Sequence, residues 1–416
     1  MRIAYVVPYV PTRIRTRSFN LIHQLAAAGH EVAVFTLGSN REDQIDAQRL
    51  QGPGCDVYYY AQPVWRSFLN SAVALPSRAP LQSVYSWQSA MARQIALRAS
   101  RNEFDILHVE HMRGSRFGLF LKSRLPNMPV VWDSVDCLSL LFHQAARQSR
   151  SFFGKFMTRF ELSRTQRAEG DFVCRFDHVL VTAPSDRHAL LELVPSGKSP
   201  SQVSVLPNGV DLEYFHPNAA FQREPETIIF SGKMSYHANI SMATYLVEEI
   251  MPRIWKARPT ARLYVVGKDP APAIKKMTRN PLITVTGTVD DIRPYLWRAT
   301  VSVTPLLYGA GIQNKILEAM ATGTPVVTMG RALSALQVEP GNDLLVSDDP
   351  DGFSRAILEL IASRDLRQKV SEAGLKYIRA FHSWPSIASQ LADIYQRILD
   401  NGSRKSTNIL ALPAHV

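Results

Sequence analysis

Short apolar runs alternate with helix-length amphipathic segments along nearly the whole 416-residue chain. That pattern admits few folds. Strands rich in Val and Ile that are separated by helices pair in parallel, because each helix carries the chain back across the sheet, and the helices then cover both faces. In the first half the strands are expected at 3–7, 31–36, 57–60, 106–109, 130–132, 178–182 and 203–206. Helices are expected at 17–28, closed by Gly29 at the C′ position, and at 82–100. The character changes at Pro207-Asn208-Gly209-Val210-Asp211, where Asn-Gly can take positive φ, and a polar connector follows at 217–225. A second alternation then begins, with strands at 228–231, 262–266, 283–286, 301–304, 325–328 and 344–346 and helices at 240–257 and 352–363. A chain of this length exceeds one hydrophobic core, so the boundary at 207–212 divides two domains.

Composition narrows the functional classes. Hydrophobic content of 46% with 20% charged residues describes an ordinary globular protein, and no run reaches the roughly 20 apolar residues that span a bilayer. The start at 3–7 reads as a strand and not as a signal peptide. Cys55, Cys137 and Cys174 show no CxxC spacing, which points to a reducing compartment, hence a cytoplasmic protein, and away from structural zinc. A net charge of +11 calls for an anionic partner: nucleotide phosphates or an anionic membrane surface. Nucleic acid also fits the charge but is the weakest of the three, since lysine-rich tracts, finger spacings and RNP-like strands are lacking, and no nucleic-acid partner is expected.

The most informative segment is Gly309-Ala310-Gly311-Ile312-Gln313-Asn314-Lys315-Ile316-Leu317-Glu318-Ala319-Met320-Ala321-Thr322-Gly323-Thr324-Pro325-Val326-Val327. A glycine loop feeds a helix, and a Gly-Thr-Pro turn hands the chain to a buried strand. Amide groups at such a helix start favour phosphate, and Glu318, about two turns in, is placed to accept from sugar hydroxyls. The segment resembles the nucleotide-sugar site of family 4 glycosyltransferases, in which Glu, seven residues and a second Glu precede Ala-Met-Ala-x-Gly-x-Pro-Val-Val. Here the second acid is Glu318 and the first is replaced by Ala310. Leu206-Pro-Asn-Gly-Val-Asp-x-x-x-Phe215 also matches the entry of that family into its second domain.

The resemblance implies the α/β GT-B fold: two Rossmann-like, doubly wound domains facing each other across a cleft. Domain one would span 1–207 and take back a C-terminal helix at 384–400, domain two would span 208–383, and 401–416 would fray as a flexible tail. Gly232-Lys233 falls where relatives have Gly-Arg, so Lys233 would hold the diphosphate. The second cation of the relatives falls at Ala238, a departure for which Lys315 could compensate. Donor binding is assigned to Gly232, Lys233, Thr288, Val289, Gly311, Ile312, Gln313, Asn314, Lys315 and Glu318. The chemistry is assigned to Asp136, Lys233 and Glu318.

On the acceptor side, relatives often carry a sugar-facing His after the strand at 130–132. This chain has Asp133 and Asp136 there, and Asp136 is preferred as the contact to the transferred sugar, with helix capping as its plainer reading. His108 and His111 end the preceding strand, and Arg13, Arg15 and Arg17 follow the first one; of these, His108, His111, Arg13 and Arg15 are expected at the cleft rim. Phe152, Phe153, Phe156, Met157 and Phe160 fall on one helical arc flanked by Arg147, Lys155 and Arg159, which reads as core or as peripheral contact with an anionic membrane. The pairs Asp290-Asp291 and Asp348-Asp349 lack an apolar DxD setting, so no metal and no cofactor is expected.

The function implied is a retaining transfer of a hexose from a nucleoside diphosphate sugar to a hydroxyl of a glycan or lipid-linked precursor, in the cytoplasm or at the inner face of the membrane. The rivals are a nucleotide-sugar 2-epimerase and a non-catalytic nucleotide-sugar-binding protein.

Overall fold

Runs of Val, Ile and Leu that read as strands form strands and are buried on both faces, as parallel sheets covered by helices require. The computed structural model describes the chain except residues 14, 149–151, 309–311 and 411–416, and except the side chains of 144–148, 152–159, 335 and 402–410. The chain divides into two compact units, Met1–Pro207 joined by the segment from Trp384, and Asn208–Ser383.

The first unit runs β1 (Arg2–Val7), α1 (Thr16–Ala27), β2 (Glu31–Gly38), α2 (Arg41–Leu50), β3 (Cys55–Ala61), α3 (Val64–Ala74), α4 (Leu81–Tyr85), α5 (Ser89–Ser100), β4 (Ile106–Glu110), α6 (His111–Arg124), β5 (Val130–Val135), α7 (Leu138–Gln148), α8 (Phe152–Arg175), β6 (His178–Val181), α9 (Pro184–Glu192) and β7 (Gln202–Val205). Its strands pair in the order β3-β2-β1-β4-β5-β6-β7, all parallel. The order reverses between β1 and β4, and the register sets Tyr5 beside His108 and Glu110 beside Asp133. α1 closes with a Schellman turn: Gly29 at φ +84 donates to Ala26 and His30 donates to Leu25.

The stretch 82–100, expected as one helix, is two. The break carries Gln88, whose side chain accepts from the Ala90 amide at 3.2 Å, and Trp87, whose ring packs on Phe117 and Phe120 at 5.3 and 5.5 Å. Tertiary packing of one large ring overrides helical periodicity there.

The second unit runs β8 (Thr227–Ser231), α10 (His237–Tyr245), α11 (Met251–Ala257), β9 (Arg262–Val266), α12 (Pro272–Lys275), β10 (Ile283–Gly287), α13 (Arg293–Arg298), β11 (Val301–Thr304), α14 (Asn314–Ala321), β12 (Val326–Thr328), β13 (Leu345–Val346), α15 (Pro350–Ala362) and α16 (Arg364–Phe381). Its parallel order, β10-β9-β8-β11-β12-β13, reverses between β8 and β11. A π turn at Leu246–Ile250 joins α10 to α11 just before Pro252, where a missing N–H would otherwise break an α-helical bond.

The last helix, α17 (Trp384–Leu410), returns to the first unit and continues beyond residue 400. Trp384, Ile387, Leu391 and Tyr395 recur at helical spacing and are buried with Ile3, Tyr5, Leu21, Ile22 and Leu25. Leu391→Ala should therefore destabilise the first unit by about 2–5 kcal/mol, the cost of a large-to-small change in a closed core. Chemical denaturation checks this; a change within about 0.5 kcal/mol, the size of a surface effect, would mean that α17 is not part of that core.

Candidate active site

In doubly wound sheets ligands gather beyond the carboxyl ends of the strands where the order reverses, here β8 with β11 and β1 with β4. Each unit places a group of polar side chains there.

In the second unit the chain leaves β8 through Gly232 and β9 through Gly267, both at φ +149. The two turns touch. A Cβ on Gly267 would lie 1.7 Å from the Gly232 carbonyl oxygen, and one on Gly232 would meet Asn239 Nδ2 at 2.7 Å and Lys315 Nζ at 3.2 Å. Only glycine fits either place. Lys315 extends from the first turn of α14, and its ammonium donates to Asn239 Oδ1 at 2.6 Å and lies 4.6 Å from the Phe230 ring centre. Asn239 Nδ2 in turn donates to the Lys233 carbonyl at 2.9 Å. Burial draws the Lys315 ammonium down to about 7, with Glu318 opposing, and pushes the Glu318 carboxyl up to about 7, with Lys315 opposing.

α14 starts at Asn314, so Glu318 stands about one turn in, not two. Gln313 at the N-cap makes no side-chain bond to the first turn, Ile312 is buried, and Asn314 Oδ1 accepts from Asn208 at 3.2 Å. Gly311, with Gly309 and Ala310, lies outside the described residues. Lys233 is exposed at the turn, whereas Ala238 is buried at 3% exposure, a position no charged side chain could take without rearrangement. The next residue, Asn239, is the one that engages Lys315. Thr288 and Val289 follow β10 at the sheet edge, and among the described residues no hydrogen bond or ring contact joins them to Lys315. Sequence reasoning missed the pair His237 and Tyr308, joined at 2.8 Å and stacked beside the same turn, because nothing local links residues 71 apart.

In the first unit, the switch point holds a buried ion pair. Arg17 Nε donates to Asp133 Oδ2 at 2.8 Å, with side-chain exposures of 6% and 0%, and Nη1 donates to the Leu206 carbonyl at 3.1 Å. Where relatives often carry a sugar-facing His, Asp133 is thus committed to an arginine. His108 stacks on Tyr5 with ring centres 4.2 Å apart, its Nε2 lies 3.7 Å from Asp133, and its Nδ1 pairs with Tyr395 Oη at 2.8 Å. Burial pulls His108 down to about 4, so its ring is neutral near pH 7. His108 is an interior group and not a rim residue.

Glu110 is fully buried, and burial pushes its carboxyl up to about 7, although Tyr9 Oη and Tyr5 Oη donate to it. Tyr9 Oη also meets His111 Nε2 at 3.1 Å. The His111 side chain is 37% exposed and the residue holds φ +61, a left-handed position uncommon for any residue with a Cβ. Arg13 and Arg15 are exposed; Arg15 donates to the Val10 carbonyl at 3.0 Å and lies over Tyr9.

Asp136 is half-buried and accepts from Thr182 Oγ1 at 3.3 Å; burial raises its pKa while His111 opposes the rise. The amides that open α7 are satisfied by other acids. Cys137 N donates to Asp186 at 3.0 Å, and Leu138 N and Ser139 N donate to Glu169 at 2.7 and 3.2 Å. Asp136 is therefore not the cap of α7.

Among the described residues no group of three or more His, Cys, Asp or Glu is placed to hold a metal ion. Asp291 pairs with Arg293 at 2.7 Å, Asp348 accepts from the Gly330 amide, and Asp349 caps α15. The aromatic arc on α8 has its side chains from Phe152 to Met157 outside the described residues; Phe160 stacks under Arg164 at 4.0 Å.

Two parallel, doubly wound sheets with polar groups at both switch points define an α/β protein of the GT-B type. The chain belongs to the group 1 glycosyltransferases: residues 225–363 match the family described as glycosyl transferases group 1, and residues 14–209 match the glycosyl transferase 4-like domain. It is 24% identical to a phosphatidyl-myo-inositol mannosyltransferase of Mycolicibacterium smegmatis over 421 residues, covering 97% of this chain and 95% of that one. It is 25% identical to the lipopolysaccharide core biosynthesis mannosyltransferase LpcC of Rhizobium leguminosarum, covering 73% and 82%. Among solved structures, sucrose-phosphate synthase of Thermosynechococcus elongatus superposes with a TM-score of 0.70 at 19% identity, covering 96% of this chain and 100% of that one. HepE of Anabaena in complex with UDP-glucose superposes with a TM-score of 0.66 at 12% identity, covering 95% and 100%.

The Lys315 environment yields a pH dependence. Its ammonium is lost as pH rises through about 7 in the free protein, and a bound diphosphate would hold the proton on. Nucleoside diphosphate affinity should fall by about tenfold between about pH 6 and about pH 8.5. Lys315→Arg, whose charge does not titrate there, should flatten that slope. Equal slopes in the two proteins, measured by titration calorimetry, would remove Lys315 from the diphosphate site.

Proposed function

We propose that the chain is a retaining hexosyltransferase that moves a hexose, mannose being the first candidate, from a nucleoside diphosphate sugar to a hydroxyl of a glycan or lipid-linked precursor. The observation that carries the reading is the half-buried Lys315 side chain whose ammonium is held over the Gly232 turn, with Glu318 one turn further along α14. A cation drawn partly out of water, with one hydrogen-bond partner among the described residues, suits an anion that brings its own charge. The diphosphate would lie against Lys315, the exposed Lys233 and the amides at the start of α14, and Glu318 would accept from the ribose hydroxyls. The mannosyltransferase names among the relatives support the sugar class.

Bond breaking puts negative charge on the departing diphosphate and positive charge at the anomeric carbon. Lys315, Lys233 and the helix dipole stabilise the first, so the reaction proceeds without a metal. Asp136 is the candidate for the second. It is a partly buried acid that accepts from Thr182 and lies within electrostatic reach of His111, while Glu169 and Asp186 accept from the amides that open α7. The acceptor hydroxyl attacks from the face the diphosphate leaves and passes its proton to the departing phosphate oxygen, which retains configuration. The phosphatidylinositol and lipopolysaccharide names among the relatives support a lipid-linked acceptor and peripheral work at the inner face of a membrane.

Asp136→Asn should lower kcat by about 10²-fold while donor affinity changes little, since its charge acts mainly in the transition state. Release of nucleoside diphosphate from the preferred donor is the readout. A near-native kcat would leave Asp136 with a structural role only.

A further inference from the structure

α3 is amphipathic in the wrong sense for a globular protein. Its inward side is polar: Ser67 is buried and accepts from Gln62 at 3.3 Å, Asn70 donates to the Trp87 carbonyl at 2.9 Å, and Ser71 bonds back to Ser67 at 3.1 Å. Its outward side is bulky and apolar: Trp65 is 67% exposed, Phe68 64%, Leu69 54% and Val73 74%, and Leu75 prolongs the stripe. These positions recur at three- and four-residue spacing, so they form one continuous face. Most of the large exposed hydrophobics among the described residues sit in this short segment. A patch of that kind marks an interaction surface.

The stripe borders a cavity of about 920 Å³ between α3, α4, α6 and α8, within the range of ligand pockets. Val84, Trp87, Leu119 and Phe172 give it an apolar floor, and Leu69 and Val73 of the stripe form its lip. Its cations are Arg78, Arg116, Arg167 and Lys198. Lys198 is paired with Asp171, at 3.0 Å, and Asp171 also takes Arg175. Arg78, Arg116 and Arg167 have no carboxylate partner among the described residues, and Arg116 lies 4.9 Å over the Trp87 ring. An apolar trough, a stripe of Trp, Phe, Leu and Val beside it, and unpaired guanidinium groups on the wall match one occupant: an anionic phospholipid leaflet. Aromatic and aliphatic side chains enter the acyl boundary, and arginines meet phosphate.

We infer that α3 docks this unit onto an anionic leaflet and that the adjoining cavity takes an acyl chain of a lipid whose phosphate is held by Arg116 and Arg167. The inference deepens the acceptor side of the proposed function and rests on it only for what the docked lipid is used for; docking is read without any donor sugar.

The test uses the full chain with vesicles of phosphatidylcholine alone and of phosphatidylglycerol. Wild type should sediment with the second and not with the first. Trp65→Ser with Phe68→Ser and Val73→Ser, all exposed positions, should weaken partitioning by about tenfold or more while the melting temperature and nucleoside diphosphate binding stay as in wild type. Phosphatidylglycerol brominated on its acyl chains should quench tryptophan emission, and Trp87→Phe should remove a measurable part of that quenching. Unchanged partitioning of the triple variant would overturn docking through α3. Quenching that does not change in Trp87→Phe would overturn occupation of the cavity. A wild type that leaves both vesicle types in the supernatant, but self-associates through a contact the triple variant abolishes, would assign the stripe to a second copy and overturn the proposal. Failure of the transferase reading alone would leave the vesicle results untouched.

Discussion

The candidate donor site depends on two glycines that touch. Because the Gly232 carbonyl occupies the space where a Gly267 side chain would be, the ends of β8 and β9 come within backbone distance, and the turn that results has no side chain of its own to fill it. Lys315 fills that place from α14 instead. Its ammonium is fixed by Asn239, which is itself tied to the turn through the Lys233 carbonyl, so the cation and the glycine turn form one hydrogen-bonded group. Burial there works against the lysine's charge and draws its pKa down toward neutrality, with Glu318 opposing. Ala238 is buried on the helix after β8, and the cation that reaches the turn comes from α14.

The first unit shows the same economy with opposite signs. Asp133 is matched by Arg17, whose Nη1 reaches the carbonyls of Leu206 and Pro207 at the end of the unit. Breaking such a buried pair from one side leaves an unpaired charge, which is far costlier than the pair is favourable. His108 lies beside Asp133 and is held by Tyr395 from α17, so the returning helix reaches the polar group at the switch point as well as the core. Asp136, three residues further along the chain, has its carboxylate on Thr182 and not on the amides that open α7.

The strands and the Schellman turn at Gly29 were legible in the sequence because hydrophobic period, β-branched residues and glycine placement are local signals. Segments 82–100 and 240–257 were each read as one helix because periodicity continues through them; the half-buried Trp87, packed on Phe117 and Phe120, sits at the break in the first and a π turn ahead of Pro252 interrupts the second. α14 begins later than the glycine loop suggested, which brings Glu318 a turn closer to the helix start. The Arg17–Asp133 pair joins residues 116 apart and the Lys315–Asn239 bond residues 76 apart, so neither could be read from neighbours in the chain. α3 was invisible for a different reason: period alone does not say which face of an amphipathic helix turns inward.

A structure of the chain with a nucleoside diphosphate hexose bound tests the central claim most directly. The account predicts a phosphate oxygen within hydrogen-bonding distance of Lys315 Nζ and of the Gly232 turn, with the ribose hydroxyls on Glu318. A diphosphate that leaves Lys315 still bound to Asn239 alone, with its charge met elsewhere, would contradict it.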